Sequence, residues 1–318
     1  MQASDIHLAA GLVPQLRVQG ELQKLSEPLT SQDELAGELR ALLQEQAWQS
    51  LLKNGEVDIA FSDVAGERYR LNAYRQGAQY ALAIRLLQSV IPSCRDLGLP
   101  ESVVELAELK QGLVLVAGPT GSGKTTTLAA LVQRINSERA VHIITLEDPV
   151  EYIYPQGRAL ISQREIGRDT ASFASGLRSA LRQDPDVILV GELRDGESMA
   201  MALSAAETGH LVLATLHTQD AAGSVNRILD VLSERQAQAR SQLAECLQAV
   251  VCQRLLPRRS AEGRVAAFEV LIATEALRNI IREGRTHQLE SYIQTGKRFG
   301  MITMAEAVQQ LRRQGTIK

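Results

Sequence analysis

The stretch that decides the fold is GPTGSGKT, which occupies residues 118–125. An apolar run typical of a buried strand, Leu113–Ala117, precedes it, and a helical pattern, Leu128–Ile135, follows it. Glycines allow the backbone of such a turn to wrap around an anion, and the following helix contributes its N-terminal N–H groups. The pattern GxxxxGK followed by Ser or Thr, between a strand and a helix, predicts a phosphate-binding P-loop in an α/β domain.

The residues of this loop have distinct expected roles in binding ATP. Lys124 would bridge the β and γ phosphates, and the hydroxyl of Thr125 would bind Mg²⁺, which prefers a few protein oxygens together with substrate phosphates. The residues expected to bind these cofactors, ATP and Mg²⁺, are Gly118, Pro119, Thr120, Gly121, Ser122, Gly123, Lys124, Thr125 and Thr126. A glycine-rich turn that matches the motif by chance is the alternative.

Acidic residues follow two of the predicted strands. The motif LEDPVE contains Glu147, Asp148 and Glu151, and Glu192 ends the motif VILVGE. Ligands of a doubly wound sheet bind at the carboxyl ends of its strands, so these acids are placed to meet Mg²⁺ and the attacking water. The candidate metal-site residues are Thr125, Glu147, Asp148 and Glu192. Because Gly191 stands where many P-loop enzymes have an Asp, contact between Glu192 and the metal should pass through water. Solvated loop charges are the alternative for each acidic cluster.

Two histidines flank the apolar run Leu211–Leu216 in the segment GHLVLATLHT. His210 and His217 are seven residues apart, and odd spacing on a strand places them on opposite faces, so they are not expected to bind one metal ion. For His217 we expect a role in sensing the γ-phosphate. For His210 an ordinary hydrogen-bonded histidine is the alternative.

The chain of 318 residues has room for about two domains. The first is a small α+β domain, with a predicted helix at Glu34–Leu52 and strands at Val57–Ser62 and Tyr69–Tyr74. After a Pro- and Gly-containing linker, alternating strands and helices predict a parallel sheet, and the chain from Ala237 onward is predicted to be mostly helical. The predicted strands are Leu113–Ala117, His142–Leu146, Val187–Val190 and Leu211–Leu216. The predicted domains are residues 1–98 and residues 99–318.

Composition argues against several classes of protein. The net charge of −3 lacks the basic excess of a dedicated nucleic-acid-binding domain, and aromatic residues, at 3%, are too few for a base-stacking surface. Three widely spaced cysteines fit neither a disulfide framework nor a zinc ribbon. The first residues lack the pattern of a secretion signal, and no apolar run approaches the ~20 residues that span a bilayer. We expect a cytoplasmic protein without direct membrane insertion.

Four segments together resemble a known family. GPTGSGKTTT, ITLEDPVEY, ALRQDPDVILVGELRD and AAETGHLVLATLHT are similar to the Walker A, Asp box, Walker B and His box of the secretion ATPases that power type II secretion and type IV pili. The resemblance runs from ASDIHL near the start to GMITMAEA near the end. The segment ALRNIIREGRTHQLESYIQTG, residues 276–296, resembles a motif of the pilus retraction branch, although Leu277, Ile280 and Ile281 differ from its usual residues.

This resemblance implies a fold and a set of site residues. It implies a RecA-like P-loop NTPase domain with a small PAS-like N-terminal domain and a helical C-terminal part, assembled as a homohexamer. Glu151 would be the catalytic glutamate and Glu192 the Walker B glutamate, while His210 and His217 would be the His-box histidines. Arg70 and Arg85 would reach the nucleotide from the N-terminal domain, with solvated strand charges as the alternative.

The function implied by the resemblance is Mg²⁺-dependent ATP hydrolysis that drives type IV pilus retraction, and hence twitching motility. The implied partner is a PilC-like pilus platform protein, which would hold the cytoplasmic hexamer at the inner membrane. A pilus or type II secretion assembly ATPase is the first alternative. A nucleotide-gated regulatory ring with little turnover and a DNA translocase are the others, and no nucleic-acid partner is expected.

Overall fold

The computed structural model describes residues 3–18, 21–87, 90–259 and 263–318, and the chain forms two compact units. The N-terminal unit comprises Met1–Val90 together with Pro149–Ile153, and the C-terminal unit comprises Ile91–Asp148 and Tyr154–Lys318. The segment 149–153, which includes the last three residues of the motif LEDPVE, therefore packs with the N-terminal unit. The division at residues 98 and 99 that the sequence suggests remains a proposal.

The N-terminal unit is an antiparallel sheet with two helices. Its elements are β1 (Ala3–Ala9), β2 (Gln15–Val18), β3 (Glu21–Lys24), α1 (Gln32–Leu42), α2 (Glu45–Asn54), β4 (Glu56–Ser62), β5 (Arg68–Gln76) and β6 (Gln79–Leu86). The strand order is β3-β2-β1-β6-β5-β4. Its core lies between the helices and one face of the sheet, where Leu39 and Leu51 pack with Leu71 and Leu82.

The prediction of one continuous helix at Glu34–Leu52 was wrong. α1 begins at a capping box, in which the Ser31 hydroxyl accepts from the Glu34 N–H and the Glu34 carboxylate accepts from the Ser31 N–H. The chain becomes extended at Leu43 and restarts as α2. Leu43 is buried in the same core as both helices. Burial of the Leu43 side chain therefore accounts for the interruption between α1 and α2. No Gly or Pro marks this interruption in the sequence.

The C-terminal unit is a seven-stranded sheet covered by helices on both faces. Its strands are β7 (Gly112–Ala117), β8 (His142–Glu147), β9 (Leu160–Glu165), β10 (Val187–Val190), β11 (Leu211–Leu216), β12 (Leu247–Pro257) and β13 (Arg264–Ile272). Its α-helices are α3 (Glu101–Val104), α4 (Lys124–Glu138), α5 (Phe173–Ala180), α6 (Gly196–Glu207), α7 (Ala221–Val231), α8 (Gln236–Cys246), α9 (Glu275–Arg282), α10 (Leu289–Thr295) and α11 (Met304–Arg313). The strand order is β13-β12-β7-β11-β10-β8-β9.

The predicted α/β class is confirmed. β7, β8, β10 and β11 match the four predicted strands, and they pair in parallel at the centre of the sheet. Every residue of β7, β10 and β11 is buried, as expected for strands covered on both faces. Among the described residues, no helix combines the length and the apolar character needed to cross a membrane.

The prediction of a mostly helical C-terminal third was incomplete. It contains the helices α8–α11, but also the long strands β12 and β13, which pair antiparallel at the edge of the sheet. β12 also pairs in parallel with β7, so it extends the sheet beside the P-loop strand. The apolar centre of β12 is too short for periodicity to separate a strand from a buried helix.

The spacing of three and four residues between Leu277, Ile280 and Ile281 predicts one helical face, and the helix α9 confirms it. Leu277, Ile280 and Ile281 are at most 1% exposed and pack in the main core of the unit. We expect Ile280→Ala to lower the free energy of unfolding by about 2–5 kcal/mol, because it removes buried methyl groups and leaves a cavity. Urea denaturation measures this change, with the exposed Arg282→Ala as the control on the same helix. Unchanged stability of Ile280→Ala would contradict a packing role for this residue.

Candidate nucleotide-binding site

The carboxyl ends of the parallel strands meet at one edge of the sheet. β10 ends level with β8, and β11 ends level with β7. The predicted site positions that this register brings to the edge are Gly118, Glu147, Glu192 and His217. The edge therefore combines the start of the P-loop with two carboxylates and an imidazole.

The P-loop has the backbone that its glycines were expected to allow. Gly121 and Gly123 have φ values of 74° and 89°, in the left-handed region. Gly123 is the N-cap residue of α4, and as a glycine it has no side chain to cap the helix. The N–H groups of that turn are therefore suited to an anionic ligand, because a helix N-terminus carries partial positive charge.

Lys124 lies inside the loop, where it is 8% exposed. Its Nζ atom donates hydrogen bonds to the carbonyl oxygens of Gly118, at 2.9 Å, and Pro119, at 3.1 Å. The Ser122 hydroxyl is also buried, and it has no hydrogen-bond partner among the described residues. A buried cation held by the loop's carbonyls and a helix N-terminus with a glycine N-cap fit the phosphate groups of a nucleotide.

The first acidic position, Glu147, is fixed by its neighbours at the end of β8. Its Oε1 atom accepts from the Thr145 hydroxyl at 2.6 Å and from Nε2 of Gln163 at 3.2 Å. Gly191, after β10, approaches this strand so closely that a β-carbon there would lie 3.1 Å from the Leu146 carbonyl oxygen. The close approach makes a larger residue at position 191 unfavourable unless the neighbouring strand shifts.

Glu192 is held between two basic side chains. Its carboxylate lies 3.4 Å from Nε2 of His217, and its other oxygen forms an ion pair with Arg194. The side chain is only 12% exposed, so the carboxylate is oriented rather than freely rotating. The sequence did not identify Arg194, although a cation two residues after the glutamate in GELRD is a signal that could have found it.

The two histidines lie at opposite ends of β11 and have different partners. His217 contacts the Glu192 carboxylate, whereas Nδ1 of His210 lies 3.0 Å from the carbonyl oxygen of Ala205, at the other end of β11. His210 therefore has the local hydrogen bond that the simpler interpretation expected.

Arg70 and Arg85 lie opposite each other on the neighbouring strands β5 and β6. Arg70 binds both carboxylate oxygens of Asp58, and Nε of Arg85 donates to Asp5 at 2.7 Å. Partial burial raises the pKa of Asp5, but hydrogen bonds from Ser4 and Arg85 outweigh it and leave the pKa below its ordinary value. Each arginine thus has a carboxylate partner within its own sheet.

Glu151 lies in the segment that packs with the N-terminal unit. Its Oε1 atom is 4.0 Å from Nη1 of Arg70, and its side chain is about one-third exposed. The neighbouring Val150 carbonyl oxygen accepts from Nη2 of Arg68 at 2.6 Å. The structure therefore brings Glu151 together with Arg70, one of the predicted nucleotide-contacting arginines.

The predicted metal residues do not form a closed cage. Thr125 is half-buried in the first turn of α4, and Asp148 is exposed. Within the part of the chain that the structure describes, no three Asp, Glu, His or Cys side chains converge on one point. Mg²⁺ in nucleotide sites keeps several waters and binds phosphate oxygens, so a hydroxyl and a nearby carboxylate are a suitable donor set.

This combination of fold and site defines a P-loop ATPase, since a P-loop lies at the carboxyl edge of a mainly parallel sheet beside an oriented glutamate. The family model described as "Type II/IV secretion system protein" matches residues 1–316. The chain belongs to this family, and the resemblance seen in its sequence motifs is confirmed.

Three relatives show how closely the chain follows individual members. It is 49% identical over 307 residues to the uncharacterized protein YggR of Escherichia coli, covering 96% of this chain and 93% of that protein. It is 42% identical over 316 residues to the type IV pilus retraction ATPase PilT of Pseudomonas aeruginosa, covering 99% of this chain and 92% of that protein. A crystal structure of the pilus retraction motor PilT with bound ADP superposes with a TM-score of 0.91 at 44% sequence identity. The match covers 100% of this chain and 91% of that one.

Proposed function

We propose that this chain works as a homohexameric motor that hydrolyses ATP, with Mg²⁺, to retract type IV pili. The observation that carries the proposal is the sheet edge at which the P-loop, Glu147, Glu192 and His217 meet. The likeness to PilT proteins over nearly the whole chain supports the same function. A PilC-like platform protein at the inner membrane is the proposed partner.

Each residue of the site has a proposed chemical role. Lys124 and the N-terminus of α4 bind the β and γ phosphates, and the Thr125 hydroxyl, with Glu192 through water, would hold Mg²⁺. When bound, Mg²⁺ would neutralise charge that develops on the transferred phosphoryl group. Glu151 accepts the proton of the attacking water, and His217 orients Glu192 toward the γ-phosphate.

The two glutamates give a test of these roles. We expect Glu192→Gln and Glu151→Gln to bind ATP with near-normal affinity and to hydrolyse it at least about tenfold more slowly, because each keeps its shape and loses a carboxylate. Steady-state turnover, measured beside nucleotide affinity, checks this. A matched control is Glu197→Gln, an exposed position in the first turn of α6. Weakened nucleotide binding with an unchanged turnover number would contradict both assignments.

Deletion of the gene distinguishes the proposed direction of work from its main alternative. Loss of a retraction motor leaves extension unopposed, so surface pili should accumulate and twitching should stop. Loss of an assembly or secretion ATPase would instead remove the fibres. Fibre counts by electron microscopy separate these outcomes, and reintroduction of the gene is the control.

The regulatory-ring alternative makes a different prediction about turnover. A ring that only responds to bound nucleotide needs no oriented carboxylate, whereas Glu192 is held by Arg194 and His217. Sustained ATP hydrolysis by the purified chain supports the motor. Tight nucleotide binding with negligible turnover, even with the platform protein present, would favour the regulator.

A further inference from the structure

Gln253 lies directly beside the P-loop, on the strand that the sequence did not predict. β12 runs parallel to β7 with Cys252 level with Ala117, so the next residue, Gln253, lies level with Gly118, the first residue of the loop. Gln253 is 4% exposed. Its position therefore places it against the phosphate loop, in the interior of the C-terminal unit.

One hydrogen bond and two close approaches relate Gln253 to the loop and to the helix that follows. Its Oε1 atom accepts a hydrogen bond of 2.7 Å from the Thr127 hydroxyl, in the first turn of α4. A β-carbon at Gly123 would lie 2.8 Å from Nε2 of Gln253, and one at Gly118 would lie 2.5 Å from its backbone oxygen. Gln253 thus leaves no room for a side chain at either of these two glycines of the phosphate loop.

The amide occupies a position that the strand pattern assigns to an apolar side chain. Ala249 and Val251 precede it at two-residue spacing, are fully buried and pack in the same core as Leu131 of α4. Burial of an amide is unfavourable unless its polar atoms find partners, and an apolar residue would fill this face without that cost. Packing alone therefore does not account for a glutamine here.

We propose that Gln253 is a positioning residue for the phosphate-binding loop. Its amide holds the Gly123 turn and the first turn of α4 in one arrangement, so that the loop's N–H groups are aligned before the nucleotide arrives. A prearranged loop raises affinity, because less ordering is required on binding. The inference rests on the proposed function in taking the phosphates of ATP and ADP as the ligand.

The test compares ADP affinity with stability in purified full-length variants. Gln253→Met keeps the length of the side chain and removes its amide, while Gln253→Glu keeps the acceptor for Thr127 and adds negative charge beneath the loop. Thr127→Ser retains the hydroxyl, and the exposed neighbour Arg254→Ala is the control on the same strand. Calorimetry gives the Kd for ADP, and thermal unfolding without nucleotide gives the Tm.

We expect Gln253→Met to raise the Kd for ADP about tenfold, the effect of losing roughly one oriented hydrogen bond, and Gln253→Glu to raise it further. Thr127→Ser and Arg254→Ala should bind ADP like the wild type. In turnover assays the KM for ATP should rise while kcat changes little.

A lowered Tm with wild-type ADP affinity in both Gln253 variants would assign the residue to packing and overturn the proposal. A wild type that binds ADP but does not hydrolyse ATP would contradict the proposed function instead. The comparison of ADP affinities would still decide the role of Gln253.

Discussion

Lys124→Ala is expected to abolish tight ATP binding and turnover. The side chain is the cation inside the loop, where its ammonium donates to two loop carbonyls and lies beside the helix N-terminus that would receive the phosphates. The substitution removes the ammonium group that would bind the β and γ phosphates. Nucleotide affinity by calorimetry and steady-state phosphate release are the measurements.

The exposed Lys110→Ala is the matched control, since it removes one lysine of the same unit away from the loop. We expect the control to keep its activity and both variants to fold. Hydrolysis at the wild-type rate by Lys124→Ala would remove the P-loop from the mechanism.

Arg70→Ala is expected to lower turnover at least about tenfold while the hexamer is preserved. An arginine that reaches the transferred phosphoryl group contributes roughly 10³ to 10⁵ in turnover in other phosphoryl-transfer enzymes. The expected cost in stability is small, because the ion pair Arg70–Asp58 is about one-third exposed and pairs near the surface contribute about 0–1 kcal/mol. Turnover and sedimentation therefore separate a catalytic role from a structural one.

Arg75→Ala is the control for Arg70→Ala, because it removes an exposed arginine from the same strand. Arg85→Ala should behave like Arg70→Ala, since the two residues are cross-strand partners. If the site is completed by a neighbouring subunit, dilution of the wild type below its assembly concentration should also lower specific activity. Normal turnover in both arginine variants would contradict a catalytic role and would show that Arg70 and Arg85 are solvated charges on their strands.

The sequence predicted the centre of the fold well because several local signals agreed there. β10 and β11 have the predicted boundaries, since each is a short apolar run between turns. α1 and α2 were predicted as one helix because their break at Leu43 depends on burial in a core shared with distant strands. β12 was missed because a short apolar run fits a strand or a buried helix equally well.

The residues of the candidate site could be predicted where a short sequence motif is enough to define their role. The P-loop residues and Glu192 were found from spacing and strand ends, and the register of the sheet brings them to one edge. Arg194 and Gln253 were not found, because their roles depend on which side chains they meet in space. The pairing of Arg70 with Asp58 likewise depends on strand register, which the sequence alone did not supply.

The most direct test of the central claim is the length of single labelled pili, followed in time on cells without other retraction ATPases. In cells whose only copy of this chain carries Glu192→Gln, the motor account predicts that fibres extend and then persist, and that a wild-type copy restores their shortening. Shortening at the wild-type frequency in the Glu192→Gln cells would contradict the claim that ATP hydrolysis by this chain drives retraction.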